Sequence, residues 1–213
     1  MKISAVILAA GRSSRMPSDN KLLFDYGGRT VVEQVLANTV ASEVSEVIVV
    51  TGFDGDRVRD RLTPLVSDRV RIIHNVGYRL GRAESIRCAL RALDEQVEAA
   101  LFMVGDKPGV GTALMNSSLD LFRRECPLIL HVRTPSGRGH PIIFARSLFG
   151  EFLKLDGDRV GEELIARYRE RVYELDDDQD QIDIDTEADY RAALAQLAST
   201  GKDHATRKGS AAL

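Results

Sequence analysis

The run Leu8-Ala9-Ala10-Gly11 is followed by Arg12, Ser13, Ser14, Arg15 and Met16, and shortly afterwards by Lys21. Small residues and a glycine let the backbone come close to a ligand, and free N–H groups in such a loop cradle phosphate oxygens. Arg12, Arg15 and Lys21 add side-chain cations at the same place. The chemistry these types and spacings fit is the holding of a triphosphate. An ordinary polar turn leaving a strand has a similar composition, and the loop's company further along the chain decides between the two. Two other phosphate loops are excluded by spacing: there is no G-x-x-x-x-G-K-[ST], and no G-x-G-x-x-G opening a helix.

Leu101-Phe102-Met103-Val104 is an apolar run that ends in Gly105-Asp106. An aspartate at the carboxyl end of a central strand is well placed to hold Mg²⁺ between triphosphate oxygens. An isolated aspartate there would read as the start of a turn; a phosphate loop in the same sheet favours the metal role. Three further segments stay open on residue chemistry alone. Leu80 to Ile86 opens a helix, where Ser85 and the first N–H groups either bind an anion or a base edge, or simply cap the helix behind a glycine hinge. Gly137-Arg138-Gly139-His140-Pro141 lies between two expected strands and reads either as a close backbone approach to a ligand or as a plain hairpin turn. Asp183-Ile184-Asp185-Thr186 precedes a helix starting near Glu187, with Thr186 or Asp185 as N-cap or a carboxylate as second metal ligand. Asp176, Asp177, Asp178 and Asp180 read as a solvated turn. Thr30 reads as an N-cap, His74 as structural, and Asn75 as a residue bordering the site.

The elements that must position these residues follow from the apolar pattern. Strands are predicted at about 3–9, 46–51, 70–74, 99–104, 128–132, 141–145 and 171–175, with helices at about 30–42, 55–63 and 83–95. The β-α-β-α order predicts an α/β fold of three layers, a mostly parallel sheet covered by helices on both faces. Val47-Ile48-Val49-Val50 lacks alternation, as expected when both faces of a strand are buried. Ligands in such sheets bind beyond the carboxyl ends of the strands, and both the 9–21 loop and the Gly105-Asp106 turn leave such ends. We therefore expect one shared site. Residues 1–198 are expected to form a single domain, and 199–213, polar and small without an apolar period, a disordered tail.

The 213 residues suffice for one α/β core. The net charge of −3 gives no global basic field for nucleic acid or an anionic membrane, so a phosphate ligand needs a local cluster of cations. Cys88 and Cys126 are far apart, without metal spacing; Cys88 falls in a helix. No signal peptide or membrane-length apolar run is legible, and a cytoplasmic protein is expected.

In this order the segments resemble the MobA-like nucleotidyltransferase superfamily, and within it the molybdenum cofactor cytidylyltransferase group. Leu8 to Gly11 with Ser13, Arg15 and Met16 resembles its signature loop and Lys21 the following lysine. Asn75 with Gly81 and Ser85 resembles its N-P…G-x-x-x-S segment, Gly105-Asp106-x-Pro108 its G-D-M-P turn, Gly139-His140-Pro141 its G-H-P motif, and Asp183 to Thr186 its D-I-D-T ending. The resemblance implies a Rossmann-like nucleotidyltransferase fold of the nucleotide-diphospho-sugar transferase type. It also implies transfer of CMP from CTP to the phosphate of a molybdopterin-type cofactor, with release of pyrophosphate. Ala10 goes with CTP in that group, where glycine goes with GTP. By the same resemblance Mg²⁺ falls to Asp106, with Asp185 as second ligand, and Arg15, Lys21 and Asp106 carry catalysis. The nucleotide contacts are Leu8, Ala9, Ala10, Gly11, Ser13, Arg15, Lys21, Asn75, Gly81 and Ser85; the acceptor contacts are Gly139, His140 and Pro141. A molybdoenzyme or its maturation factor is the implied protein partner. Lys107 stands where methionine is usual, Pro17 where glycine is common, Arg82-Ala83-Glu84 in place of small polar residues, and the Gly157-Asp158 segment lacks a following G-A-R, Gly161 being its nearest equivalent. These departures bear on the acceptor more than on the nucleotide. The alternatives are another phosphorylated acceptor (a sugar or polyol phosphate), or a non-catalytic maturation factor delivering cofactor to a molybdenum hydroxylase.

Overall fold

A computed structural model describes the backbone of residues 1–12 and 20–209, with side chains as far as 199. Among the described residues seven strands form one sheet: β1 Ile3–Ala9, β2 Val47–Thr51, β3 Val70–His74, β4 Ala99–Val104, β5 Ile129–Thr134, β6 Gly137–Ala145 and β7 Val172–Asp176. Their order is β3-β2-β1-β4-β6-β5-β7. β1 pairs in parallel with β2 and β4, and β2 with β3, while β6 runs antiparallel to both β4 and β5. The three-layer, mostly parallel α/β sheet read from the apolar runs is the observed one.

The helices are α1 Val31–Val40, α2 Gly55–Leu62, α3 Arg82–Ala92, α4 Thr112–Glu125, α5 Phe149–Phe152, α6 Val160–Arg167 and α7 Glu187–Gly209. In α1 the buried positions are Val31, Val32, Val35, Leu36 and Thr39, one stripe at helical spacing. Burying each aliphatic side chain of such a stripe stabilises by roughly 1.5–3 kcal/mol. Thr30 and Glu33 cap that helix reciprocally: the Thr30 hydroxyl accepts from the Glu33 N–H, and the Glu33 carboxylate accepts from the Thr30 N–H. α1, α2 and α4 cover one face of the sheet through Leu36, Leu62, Leu119 and Phe122. α3, α5 and α6 cover the other through Ile86, Phe152 and Leu164.

Three helices, α4, α5 and α6, have no counterpart in the sequence reading. Met115, Leu119 and Phe122 of α4 do follow helical spacing and are fully buried, but Asn116, Ser117 and Ser118 break up the local propensity, and packing overrides them. α7 continues through residues 199–209, which the sequence reading gives to a disordered tail. The preceding turns contain Ala188, Ala192, Ala193, Ala195 and Ala198, and once a helix is nucleated each further residue adds a hydrogen bond at little cost. Among the described residues no helix is long and apolar enough to cross a membrane.

Candidate active site

Lys21 is the first residue of a single 3₁₀ turn, Lys21–Leu23. The buried Asn20 side chain accepts from the Leu22 N–H at 3.2 Å, and Leu22 itself packs into the core under β1 and β4. With cap and anchor fixed on either side, Lys21 is directed over the carboxyl ends of those strands. There its Nζ lies 2.6 Å from an Asp106 carboxylate oxygen and 2.7 Å from one of Asp185.

Asp106 follows β4, whose end is tied to β1 by the Gly105 N–H donating to the Leu8 carbonyl at 2.9 Å. A Cβ at Gly105 would come within 3.3 Å of both Ala9 Cβ and Leu22 Cδ2, so glycine permits this close approach. The Ile184 N–H then donates to the Asp106 carbonyl at 3.1 Å. Ile184 is fully buried, while its neighbours Asp183 and Asp185 both face the cleft. One apolar residue between two acids thus delivers two carboxylates to the same place. Asp185 goes to Lys21, and Asp183 goes to Lys107, whose Nζ is 3.1 Å away.

These neighbours set the charge states. Burial works against the Lys21 ammonium, but Asp106 and Asp185 outweigh it and hold its pKa above the ordinary lysine value. Burial raises the Asp183 carboxyl; Lys107 pulls it back down, and Asp106 and Asp185 add repulsion. His140 is pushed down to about 3, first by burial and then by the positive charges of Lys107 and Arg82. Its imidazole is therefore neutral at pH 7, and its enclosed Nδ1 has no hydrogen-bond partner among the described residues.

Gly139-His140-Pro141 is not a turn. The turn lies at residues 135–136, and the three residues belong to β6. There the β5 register jumps from His131↔Ile142 to Val132↔Gly139, leaving His140 and Pro141 unpaired on that side. Proline lacks the N–H a ladder needs, and the resulting bulge turns His140 towards the cleft. Gln181 clamps this bulge: the His140 N–H donates to Gln181 Oε1 at 2.7 Å, and Gln181 Nε2 donates to the His140 carbonyl at 2.6 Å. A Cβ at Gly139 would sit 2.9 Å from Gln181 Oε1, which is why glycine is needed there. No sequence spacing marked Gln181.

The Leu80–Ile86 segment also differs from the anion-site reading. The first N–H groups of α3 are already engaged: Arg82 donates to the Asp158 carboxylate at 2.8 Å, Ala83 to the Gly157 carbonyl at 2.9 Å, and Glu84 to the Gly81 carbonyl at 3.3 Å. Gly81 has φ +105°, and a Cβ there would lie 3.0 Å from the Gly157 carbonyl carbon; it serves loop packing. Asn75 is buried behind the cleft, donating to Ser85 Oγ at 3.0 Å and accepting from the Gly77 N–H at 2.9 Å. Ser85 itself does line the cleft.

The cleft has a volume of about 380 Å³. It brings together Leu8, Ala9, Ala10, Gly11, Lys21, Ser85, Asp106, His140 and Asp185 from the sequence expectation, and leaves Asn75, Gly81, Gly139 and Pro141 outside its lining. Ser13, Arg15 and Met16 lie outside the described residues. Arg12 reaches over the Phe53 ring at 5.7 Å. Arg82, Lys107, Arg138, Tyr78 and Asp183 complete the polar wall. Five cations against three carboxylates make the described lining net positive, although the whole chain is acidic.

Such a basic cleft at the carboxyl ends of β1 and β4 is where a doubly wound sheet binds a nucleotide. Residues 5–172 match the family model described as the MobA-like NTP transferase domain. The chain belongs to this family. A curated relative is the bifunctional protein GlmU of Staphylococcus saprophyticus, 31% identical over 123 residues, which cover 56% of this chain and 26% of that protein. The chain thus spans about a quarter of that relative's length. Among solved structures, Rv0371c of Mycobacterium tuberculosis superposes with a TM-score of 0.81 at 31% identity, over 91% of this chain and 98% of that one. Its complex with manganese gives 0.76 at 29% identity, over 92% and 99%. A nucleotidyl transferase from Methanothermobacter, Mth528, gives 0.81 at 24% identity, over 93% and 99%, a likeness of fold.

A divalent cation fits this MobA-like site. Two carboxylates, of Asp106 and Asp185, already converge on one cation at 2.6 and 2.7 Å. They are hard oxygen donors, and magnesium is commonly held by one or two carboxylates together with substrate phosphates.

Proposed function

We propose that this nucleotidyltransferase moves CMP from CTP onto the terminal phosphate of a small acceptor of the molybdopterin type, releasing pyrophosphate. The observation that carries the reading is the single cleft in which the small-residue loop at 8–12 faces Lys21, lodged between Asp106 and Asp185. Ala10, with the Asp183-Ile184-Asp185-Thr186 and Gly139-His140-Pro141 segments, supports CTP and this acceptor class through the family resemblance.

A phosphate monoester is largely ionised at neutral pH, so an acceptor oxygen attacks the α-phosphorus with little need of a general base, and pyrophosphate leaves. Neutral His140 is suited to the same conclusion: it offers a hydrogen bond and no proton reservoir near pH 7. The barrier comes from bringing two anions together and from charge growing on the α-phosphate and the leaving group. Positioning and fixed positive charge lower it. Lys21, with Arg15 by the family resemblance, would neutralise the triphosphate and departing pyrophosphate. Arg82, Lys107 and Arg138 would hold the acceptor phosphate from the other wall. Asp106 and Asp185 would hold Mg²⁺, which when bound screens the charge shared by triphosphate oxygens.

Pyrophosphate release by the purified chain with Mg²⁺ and molybdenum-loaded molybdopterin, compared between CTP and GTP, tests the reading. Release with CTP alone is the expected outcome. Release with GTP alone overturns the reading of Ala10. Silence with molybdopterin but release with a sugar or polyol phosphate reassigns the acceptor.

A further inference from the structure

Beside the charged cleft is a second hollow of about 150 Å³, and the two share Leu8, Arg82, Val104, Arg138 and His140. Most of its wall differs from that of the cleft, being Ile86, Phe102, Ile142, Phe144, Phe152 and Ile165, while Asp158 and Glu162 join Arg82 and Arg138 as its charged residues. The rings are fixed against one another, with Phe102 and Phe144 centroids 5.7 Å apart and those of Phe144 and Phe152 4.9 Å apart, edge to face. The hollow exists for two local reasons. Pairing of β4 with β6 stops at Phe102↔Ile142, so the two strands part beyond it. Gly161 in α6 also brings no side chain to the wall.

We infer that this annex receives the face of a flat ring belonging to the acceptor, whose phosphate is held at the mouth by Arg82 and Arg138. The inference deepens the proposed function and rests on its assignment of this wall to the acceptor. A hollow of about 150 Å³ walled mostly by aliphatic and aromatic side chains has room for one benzene-sized ring. A sugar or polyol body against the Phe102, Phe144 and Phe152 rings would find partners for its hydroxyl groups only at the charged residues of the lining, a cost the face of a flat ring avoids. Arginine at the mouth suits a phosphate bidentately, and the shared lining lets ring and phosphate belong to one molecule. The annex therefore selects against polyol phosphates, and it does so with residues that contact the acceptor's body rather than its reacting end.

The test is a binding titration of the full chain, without nucleotide or metal, using phenyl phosphate and glycerol 3-phosphate, which carry the same charged group. Phenyl phosphate is expected to bind at least about tenfold tighter, from the apolar area it buries. It should shift the methyl resonances of Ile86, Ile142 and Ile165 and leave those of Ile7 and Ile48 in place. Gly161→Leu should remove the preference and keep the binding of glycerol 3-phosphate. A Cβ at Gly161 meets only Phe144 Cζ, at 3.8 Å, so the first added carbon fits and the remainder grows into the annex. Equal affinities, methyl shifts elsewhere, or a preference that survives in folded Gly161→Leu would each overturn the inference. Should that variant not fold, the methyl shifts of the unsubstituted protein decide. An absence of CTP-dependent pyrophosphate release would count against the proposed function and leave this binding assay unaffected.

Discussion

Replacing Lys21 by methionine removes a cation from between two carboxylates and keeps the length of the side chain. The side chains of Lys21, Asp106 and Asp185 are 12%, 22% and 30% exposed, so this cluster is neither dry interior nor open surface. At an effective dielectric of about 20 each contact has a gross attraction of several kcal/mol, and the lost solvation of the lysine offsets much of it. A net of about 2 kcal/mol is left for any cation that takes its place. At about 1.4 kcal/mol per factor of ten this corresponds to roughly thirtyfold. Lys21→Met should therefore bind Mn²⁺ in the absence of nucleotide about thirtyfold tighter than the unsubstituted protein. It should also melt a few degrees lower until Mn²⁺ is added. Turnover should move the opposite way, with kcat/KM for pyrophosphate release falling about a hundredfold or more, the scale of losing one preorganised donor to developing charge. Titration of free Mn²⁺ by electron paramagnetic resonance reads the first effect and a coupled pyrophosphate assay the second. A folded Lys21→Met protein with unchanged Mn²⁺ affinity and kcat/KM within a few-fold would refute the reasoning.

Asn75→Ala removes a buried side chain bonded to Ser85 Oγ and the Gly77 N–H. It should cost about 2 kcal/mol, or roughly 4–8 °C in Tm by calorimetry, with less than tenfold change in CTP affinity; a hundredfold loss of affinity at unchanged Tm would return Asn75 to the nucleotide. His140 supplies a pH dependence. The unfolded chain takes up a proton near pH 6.5, whereas the folded one resists until about 3, so stability falls as pH drops through that window, by up to about 1.4 kcal/mol per pH unit. Burial shifts His131 in the same direction. Denaturant titrations between pH 4 and 7 should show the slope and His140→Gln should reduce it, while a ring that titrates near 6.5 by ¹⁵N NMR contradicts the assignment.

The sequence alone determined the strands, because β1, β2 and β4 are buried on both faces and such strands are written as unbroken apolar runs. It also singled out Lys21 and Asp106, which stand near a loop after a strand and at a strand end, whereas Asp185 stayed open on residue chemistry between a helix cap and a metal ligand. Helix α4 was legible in Met115, Leu119 and Phe122 only once their burial was known, because the residues between them do not favour a helix. The partnerships were decided by tertiary structure. Lys21 meets Asp185 across 164 positions of chain, Gln181 clamps the His140 bulge from a separate segment, and the Phe102–Phe144–Phe152 wall draws on β4, β6 and α5. The Asn75–Ser85 bond places a motif residue behind the cleft rather than in it. Periodicity reports which face of an element is buried, and that is local. Which charge faces which, and where two strands part to leave a hollow, depends on the packing of distant elements.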